Sequence, residues 1–241
     1  MMEQAAKRGN PSFVWRYGQE RRLEMVRAHV PVGGARLLDI GCGVGMYLQA
    51  FSRYSPHVFG SEIEFDRAAQ SCRILPRVAV APAEALPFAD NSFDITFLHE
   101  MIEHVHDDRQ TIREACRVTR ANGHIVIFAP NRWYPFETHG IFWKGRYIFG
   151  NIPLVNYLPN PLRNKLACHV RAYTGRGLRR LFEGLNVEFV AFTQIYPGFD
   201  NLEARVGGAG KVLRKAIYWA EQTPFKIFGL SHFVVARVRK E

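Results

Sequence analysis

The stretch LLDIGCGVGMYL (37–48) constrains the fold of this chain more than any other. A short β-type run closes on Asp39, and Gly41, Gly43 and Gly45 then alternate into a helical pattern. Glycine is needed where the backbone turns sharply, or where a ligand must come close without a Cβ in the way. The dinucleotide fingerprint is G-x-G-x-x-G. Here its sixth position is Met46, and the glycines run G-x-G-x-G with an acid two residues ahead. That pattern suits a nucleoside without a pyrophosphate better than a dinucleotide. Glu62 follows Gly41 by 21 residues, at the end of the next strand-like run. A carboxylate at that place can take both hydroxyls of a ribose.

The first half of the chain repeats this rhythm. Runs 35–40, 57–63, 77–81, 93–100 and 122–130 read as strands, and 44–54, 64–74 and 107–119 as helices. In the last of these, Ile112, Ala115, Cys116 and Thr119 share one side. Strands alternating with helices imply βαβ crossovers and a parallel sheet. Residues 15–30 form a further expected helix. After 130 the rhythm breaks. Residues 131–172 show no clean period, and helix 174–184 then opens on Thr174 as N-cap and stops at Gly184. Strands are expected at 186–196 and 231–239. Between them, helix 211–222 can line one face with Val212, Leu213, Ala216, Ile217 and Ala220.

Five motifs now stand in order: D-I-G-C-G-V-G, the acid after the second strand, A-E-A-L-P-F (83–88), N-S-F-D (91–94) and E-M-I-E-H-V (100–105). Together they resemble the class I S-adenosylmethionine-dependent methyltransferases, and within them the broad bacterial group that includes the ubiquinone-type O-methyltransferases. The likeness is close over 35–130 and loose over the closing helix and strands. It implies a single α/β domain over 1–241 with a Rossmann-like, seven-stranded, mostly parallel sheet, its last strand antiparallel and helices on both faces. Residues 1–34 would be an N-terminal helical segment, 35–130 the cofactor-binding core, and 173–196 with 231–241 the closing helix and strands. An aromatic and basic cap from 131–172 and 197–230 would cover the C-terminal edge.

The resemblance also implies S-adenosylmethionine as cofactor, and methyl transfer by in-line displacement, at oxygen. Asp39 would orient the glycine turn near the cofactor's amino group. Gly41, Cys42, Gly43 and Gly45 would line its amino-acid tail and ribose, Glu62 would bind the ribose, and Ile63 would pack on adenine. Ala83 and Glu84 would lie at the adenine edge, and His99 and Glu100 would face the methionine moiety. Many members carry G-D-A-E where this chain has Ala81-Pro82-Ala83-Glu84. Pro82 lacks the carboxylate that would accept from the adenine amino group, so Glu84 or a backbone carbonyl has to replace it.

Catalytic residues are not identified by the pattern; the candidates are His104, His139 and His169. If 100–104 is helical, Glu100 and Glu103 share a face with His104 beside them. Such a set could hold a divalent cation, lowering the pKa of an acceptor hydroxyl. The pattern resembles that of metal-dependent relatives, which take a further histidine just before the closing helix; His169 is the match here. The plainer reading, in which His104 orders local structure and the carboxylates bond to cofactor or backbone, is preferred. Cys42 has no base nearby in sequence and reads as a small residue in a tight turn rather than a nucleophile.

Composition bears on the acceptor. The chain carries 32 Lys and Arg against 22 Asp and Glu, a net charge of +10, which favours an anionic partner without naming one. Between 131 and 180 there are nine basic residues and a single acid, Glu137; between 131 and 157 there are eight aromatics. Aromatics interleaved with Lys and Arg suit a small or lipid-like acceptor, an anionic membrane surface, or single-stranded nucleic acid. An RNA methyltransferase is the weaker alternative, because no additional RNA-binding module is present. A non-catalytic cofactor-binding or interaction domain is another, hinted at by Pro82. The sequence does not specify an oligomeric state. Four scattered cysteines, Cys42, Cys72, Cys116 and Cys168, with no secretory signal or apolar span read in the sequence, lead to the expectation of a cytoplasmic chain, peripheral to the membrane if it touches one.

Overall fold

A computed structural model describes residues 15–200 and 208–239. Expectations placed on 1–14 and on 201–207 lie outside the described residues. In chain order, α1 (Tyr17–His29) precedes β1 (Leu37–Ile40), α2 (Met46–Ser52), β2 (Val58–Glu62), α3 (Phe65–Ile74), β3 (Val78–Val80), β4 (Phe93–His99), α4 (Asp108–Val118) and β5 (Thr119–Pro130). The segment after β5 holds β6 (Phe136–Glu137), β7 (Ile141–Trp143), β8 (Arg146–Ile148), β9 (Ile152–Pro153) and α5 (Asn160–Leu166). Then come α6 (Gly175–Arg180), β10 (Val187–Ile195), α7 (Gly208–Trp219) and β11 (Ser231–Val238).

The main sheet has seven strands in the order β10-β11-β5-β4-β1-β2-β3. Pairings among β1 to β5 are parallel, and β11 runs antiparallel to both β5 and β10. Strand order reverses between β1 and β4, and in such sheets the crevice beyond the strand C-termini at that point is where ligands bind. The sheet is covered on both faces. Leu38, Leu98, Ile125 and Ile127 pack with Ile112 and Ala115 of α4 and Leu178 of α6. On the other side Leu37, Ile95, Phe97, Val126 and Phe128 meet Leu23 and Val26 of α1 and Leu48 and Phe51 of α2. Burial on both faces is why these strands read as apolar runs rather than alternating ones. Phe97 is fully buried, and truncating such a side chain to alanine costs about 3–5 kcal/mol.

Local chemistry sets the element ends. Asp107 accepts from Gln110 N at 2.9 Å and caps α4; Thr174 accepts from Gly177 N at 3.0 Å and caps α6. Three expectations change. β5 begins at Thr119 rather than at 122, so the strand takes over the end of the expected helix 107–119, and Asn122, at φ 62°, makes a local distortion within it. Segment 131–172 is not irregular, since β6 pairs with β9 and β7 with β8 in two small antiparallel sheets. Of the expected apolar face of the late helix, Val212 and Ala216 are exposed and Ile217 and Ala220 are half-buried, and the α-helix ends at Trp219. That helix is fastened instead through Tyr218, which stacks on Tyr17 at 6.4 Å and carries the Arg21 guanidinium 4.0 Å above its ring.

Candidate active site

The turn after β1 does what its glycines allow. Gly41, Gly43 and Gly45 all lie in the left-handed region, at φ 73°, 55° and 87°. Gly41 N and Cys42 N donate back to Ser61 O, folding the turn against the end of β2. A Cβ on Gly43 would meet no protein atom within 4 Å, so that side of the turn is open. It opens on a cavity of about 740 Å³ at the C-terminal edge of the sheet. Asp39, Glu62 and Ile63 line one part of it, and His99, Glu100 and His104 another. Glu62 Oε2 accepts from Gly43 N at 2.9 Å and Oε1 from Glu64 N at 3.0 Å, which holds the carboxylate across the mouth of the turn. Burial, and then the charge of Glu62, push the Asp39 carboxyl up to about 8. The free protein thus holds two carboxyls facing one crevice, with Asp39 neutral at pH 7: a setting that favours a cation.

Two further groups that line the cavity come from β4 and α2. His99 is half-buried at the strand end, 4.6 Å ring to ring from Tyr47. Burial, with the Arg22 charge second, keeps it neutral well below the usual histidine range. His99 Nε2 and Tyr47 Oη are both buried without a hydrogen-bond partner. Glu100 has φ 49°, so the chain turns there and does not continue as a helix. Its carboxylate swings towards α1 and β11, accepting from Ser231 Oγ at 2.5 Å and lying 3.5 Å from Arg22. Gln19 of α1 lines the cavity as well, and Arg21 of the same helix pairs with Glu221.

Because 100–104 is not helical, the expected metal set does not assemble: the Glu100 carboxylate is engaged by Ser231 and Arg22, while staying close enough to Glu103 to raise that carboxyl. A different group does. Glu103, His104 and His139 bring one ligand atom each within 4.8 Å of one another. Glu103 is 1% exposed and neither carboxylate oxygen has a hydrogen-bond partner. Its Oε1 lies 3.8 Å from His139 Nε2 and 4.0 Å from His104 Nε2. Burial raises its carboxyl well above the usual range, with Glu100 and Glu137 adding to the effect. Burial and the neighbouring His139 lower His104 to about 3, so it is a neutral imidazole at any physiological pH. Behind it, Glu137 accepts from His139 Nδ1 at 3.1 Å and from Arg163 Nη2 at 2.8 Å. A carboxylate fixing the far nitrogen of a histidine is the usual support of a metal-ligating ring. His169 stands one layer back, its Nε2 3.2 Å from His139 O. His104 lines the cavity, so the cluster abuts it.

Residues 38–127 match the model of the family described as Methyltransferase domain. The core is a class I S-adenosylmethionine-dependent methyltransferase domain. It is 31% identical over 118 residues to a ubiquinone biosynthesis O-methyltransferase of Ralstonia nicotianae, covering 46% of this chain and 50% of that protein. It is 30% identical over 127 residues to a demethylmenaquinone methyltransferase of Renibacterium salmoninarum, covering 50% and 54%. The chain spans about half the length of these curated relatives. An S-adenosylmethionine dependent methyltransferase from Mesorhizobium loti shares the fold with a TM-score of 0.62 at 19% identity, over 89% of this chain and 96% of that one.

Within the methyltransferase domain, ten of the eleven residues named for the cofactor line the cavity: Asp39, Gly41, Cys42, Gly43, Glu62, Ile63, Ala83, Glu84, His99 and Glu100. Gly45 does not; a Cβ there would lie 3.2 Å from Ser71 Oγ and 3.3 Å from Ile74, so it serves the packing of α2 on α3. Glu84 is already engaged, its Oε1 accepting from His106 N at 2.8 Å and Asp107 N at 3.1 Å. Cys42 has its thiol pushed up, chiefly by burial, which leaves it inert as a nucleophile. Sequence reasoning did not group His139 with Glu103 and His104; the one local signal was Glu137 two residues ahead of it.

Proposed function

We propose that this chain transfers a methyl group from S-adenosylmethionine to a small, lipid-like acceptor, at oxygen. The observation that carries the reading is the cavity: two carboxyls and an open glycine turn on one side, and partnerless buried polar atoms on the other. S-adenosylmethionine supplies the methyl group on a sulfonium, already activated for displacement. Glu62 is positioned to take the ribose hydroxyls. Asp39, ionised in the presence of a cation, faces the amino-acid end. His99 and Tyr47 offer Nε2 and Oη to the acceptor, and burial excludes water from them. Holding the reactants in line supplies about 7–11 kcal/mol of barrier reduction without a strong base.

The Glu103, His104 and His139 set fits a divalent ion, judged by a fully buried carboxylate with both oxygens unpartnered. Two imidazoles and one carboxylate suit a borderline transition metal better than magnesium. Such an ion would act as a Lewis acid towards an acceptor hydroxyl.

Calorimetric titration with S-adenosylmethionine and with S-adenosylhomocysteine tests the reading. Heat with both ligands, together with methyl transfer to polyprenylated phenols, is the expected result. No heat with either would leave only a non-catalytic role. Transfer to RNA but not to phenols would reassign the acceptor.

A further inference from the structure

Among the described residues, segments 131–172 and 197–230 contribute nothing to the lining of the cavity, so the site described above does not account for their surface. Among the described residues, thirteen of the nineteen exposed large apolar side chains lie within 133–162 and 212–228. Trp143, Phe149, Leu154, Trp219 and Phe225 are each more than half exposed. A soluble surface scatters such residues singly; concentrating them marks an interaction face. The two segments are knit together at their roots. Asn131 N donates to Leu230 O at 2.9 Å, and Asn131 Nδ2 to Ile227 O and Gly229 O at 2.7 Å each.

The β7–β8 hairpin projects from this region. Trp143 pairs with Arg146, leaving Lys144 and Gly145 as a two-residue turn. Both turn residues have positive φ, 47° and 75°, as a type I′ hairpin requires. Trp143, Lys144 and Arg146 are therefore displayed together, with Ile148 and Phe149 exposed just behind. The inward side chains of the hairpin are rooted near the histidine cluster: Phe142 and Tyr147 lie 5.4 Å and 5.6 Å from the His169 ring, and Tyr147 Oη donates to His139 O.

Charge selects the partner. Glu137 is the single acid between 131 and 180. It is 2% exposed and bound to Arg163 and His139, so no carboxylate of this segment offsets the surface cations. Among the described residues no helix is long and apolar enough to cross a membrane. A rim of indole, phenyl and aliphatic groups beside uncompensated Lys and Arg is what an interfacial anchor needs: rings sit at headgroup level, and each cation adds about 1 kcal/mol near an anionic leaflet.

We infer that this face of the cap docks on an anionic phospholipid bilayer, with the β7–β8 turn seated among the headgroups. The docking does not depend on which acceptor is methylated. The hairpin joins that surface to His139 and His169, and His139 in turn lies 3.8 Å from Glu103.

The test is co-sedimentation of the full chain with phosphatidylcholine vesicles, with and without phosphatidylglycerol. Binding should require the anionic lipid and weaken with salt. The double variant Lys144→Glu, Arg146→Glu should lose at least about tenfold in partitioning, and Trp143→Ser with Phe149→Ser should lose it at low salt too. Both variants should keep the calorimetric response to S-adenosylhomocysteine, which shows that they are folded and separates failure of docking from failure of the methyltransferase reading. Equal binding to neutral vesicles, no effect of either variant, or conversion of a dimer to a monomer by Trp143→Ser with Phe149→Ser would overturn the inference, the last by assigning the face to a second copy of this chain. Protection of the 131–180 segment by RNA but not by vesicles would overturn it as well.

Discussion

The Gly43 amide donates to Glu62 Oε2 at 2.9 Å, so the turn after β1 and the end of β2 form one unit. The carboxylate that would meet a ribose is already held in place by the backbone that would meet the rest of the ligand. Glu62→Gln should weaken S-adenosylhomocysteine binding by about tenfold to a hundredfold, the range of a lost charge-assisted hydrogen bond. The comparison is a calorimetric titration of both proteins; equal affinities would remove Glu62 from the site.

Asp39 gives a pH signature. Its carboxyl lies at about 8 in the fold against 3.8 ordinarily. The fold therefore binds this proton more tightly than the unfolded chain, and its share of stability falls as pH rises from 3.8 to about 8. A cationic ligand favours the ionised form, so binding near pH 7 should release a proton. Titrations of S-adenosylmethionine in two buffers of different ionisation enthalpy should give different heats. Asp39→Asn should erase the difference and flatten the stability profile of the free protein over the same window.

The Glu103 cluster separates two readings of the metal question. Equilibrium dialysis with Co²⁺ or Zn²⁺ should show uptake by the intact chain and by Glu100→Gln, but not by His139→Ala. Glu103→Met should abolish uptake while leaving the metal-free protein as stable or more stable, by up to about 1–4 kcal/mol, because an unpartnered buried carboxyl is removed. If Glu100→Gln loses the ion and His139→Ala retains it, the ligand set read from the sequence is restored.

Two glycines of the same turn should behave differently. Gly43→Ala adds a Cβ that meets no protein atom, so beyond left-handed strain of about 1–2 kcal/mol its effect falls on the ligand. Gly45→Ala pushes on Ser71 and Ile74 from a φ of 87°, so its larger effect falls on stability. Thermal melts with and without S-adenosylhomocysteine distinguish them: the ligand-induced rise in Tm should vanish for Gly43→Ala and survive for Gly45→Ala.

The sheet and its glycine turn were legible because the information is local. LLDI is apolar on both sides, the glycines mark a turn, and Glu62 follows at the spacing of one βαβ unit. The histidine cluster was not legible in the same way. His139 stands 35 residues beyond His104, and only the folding of β6 to β9 brings its Nε2 to 3.8 Å from Glu103. Glu100 misled because E-x-x-E-H is a helical spacing, whereas a positive φ at Glu100 and the pull of Ser231 and Arg22 turn it towards β11 and α1. Those partners lie 131 and 78 residues away in sequence, beyond the reach of any pattern rule.

The first helix has a consequence of its own. Gln19 looks into the crevice, Arg22 reaches Glu100 on one flank, and Arg21 is clasped by Glu221 on the other. A helix tethered on both flanks is a latched door. Salt screens both pairs, so raising the ionic strength should loosen this side of the crevice before it disturbs the hydrogen-bonded glycine turn below.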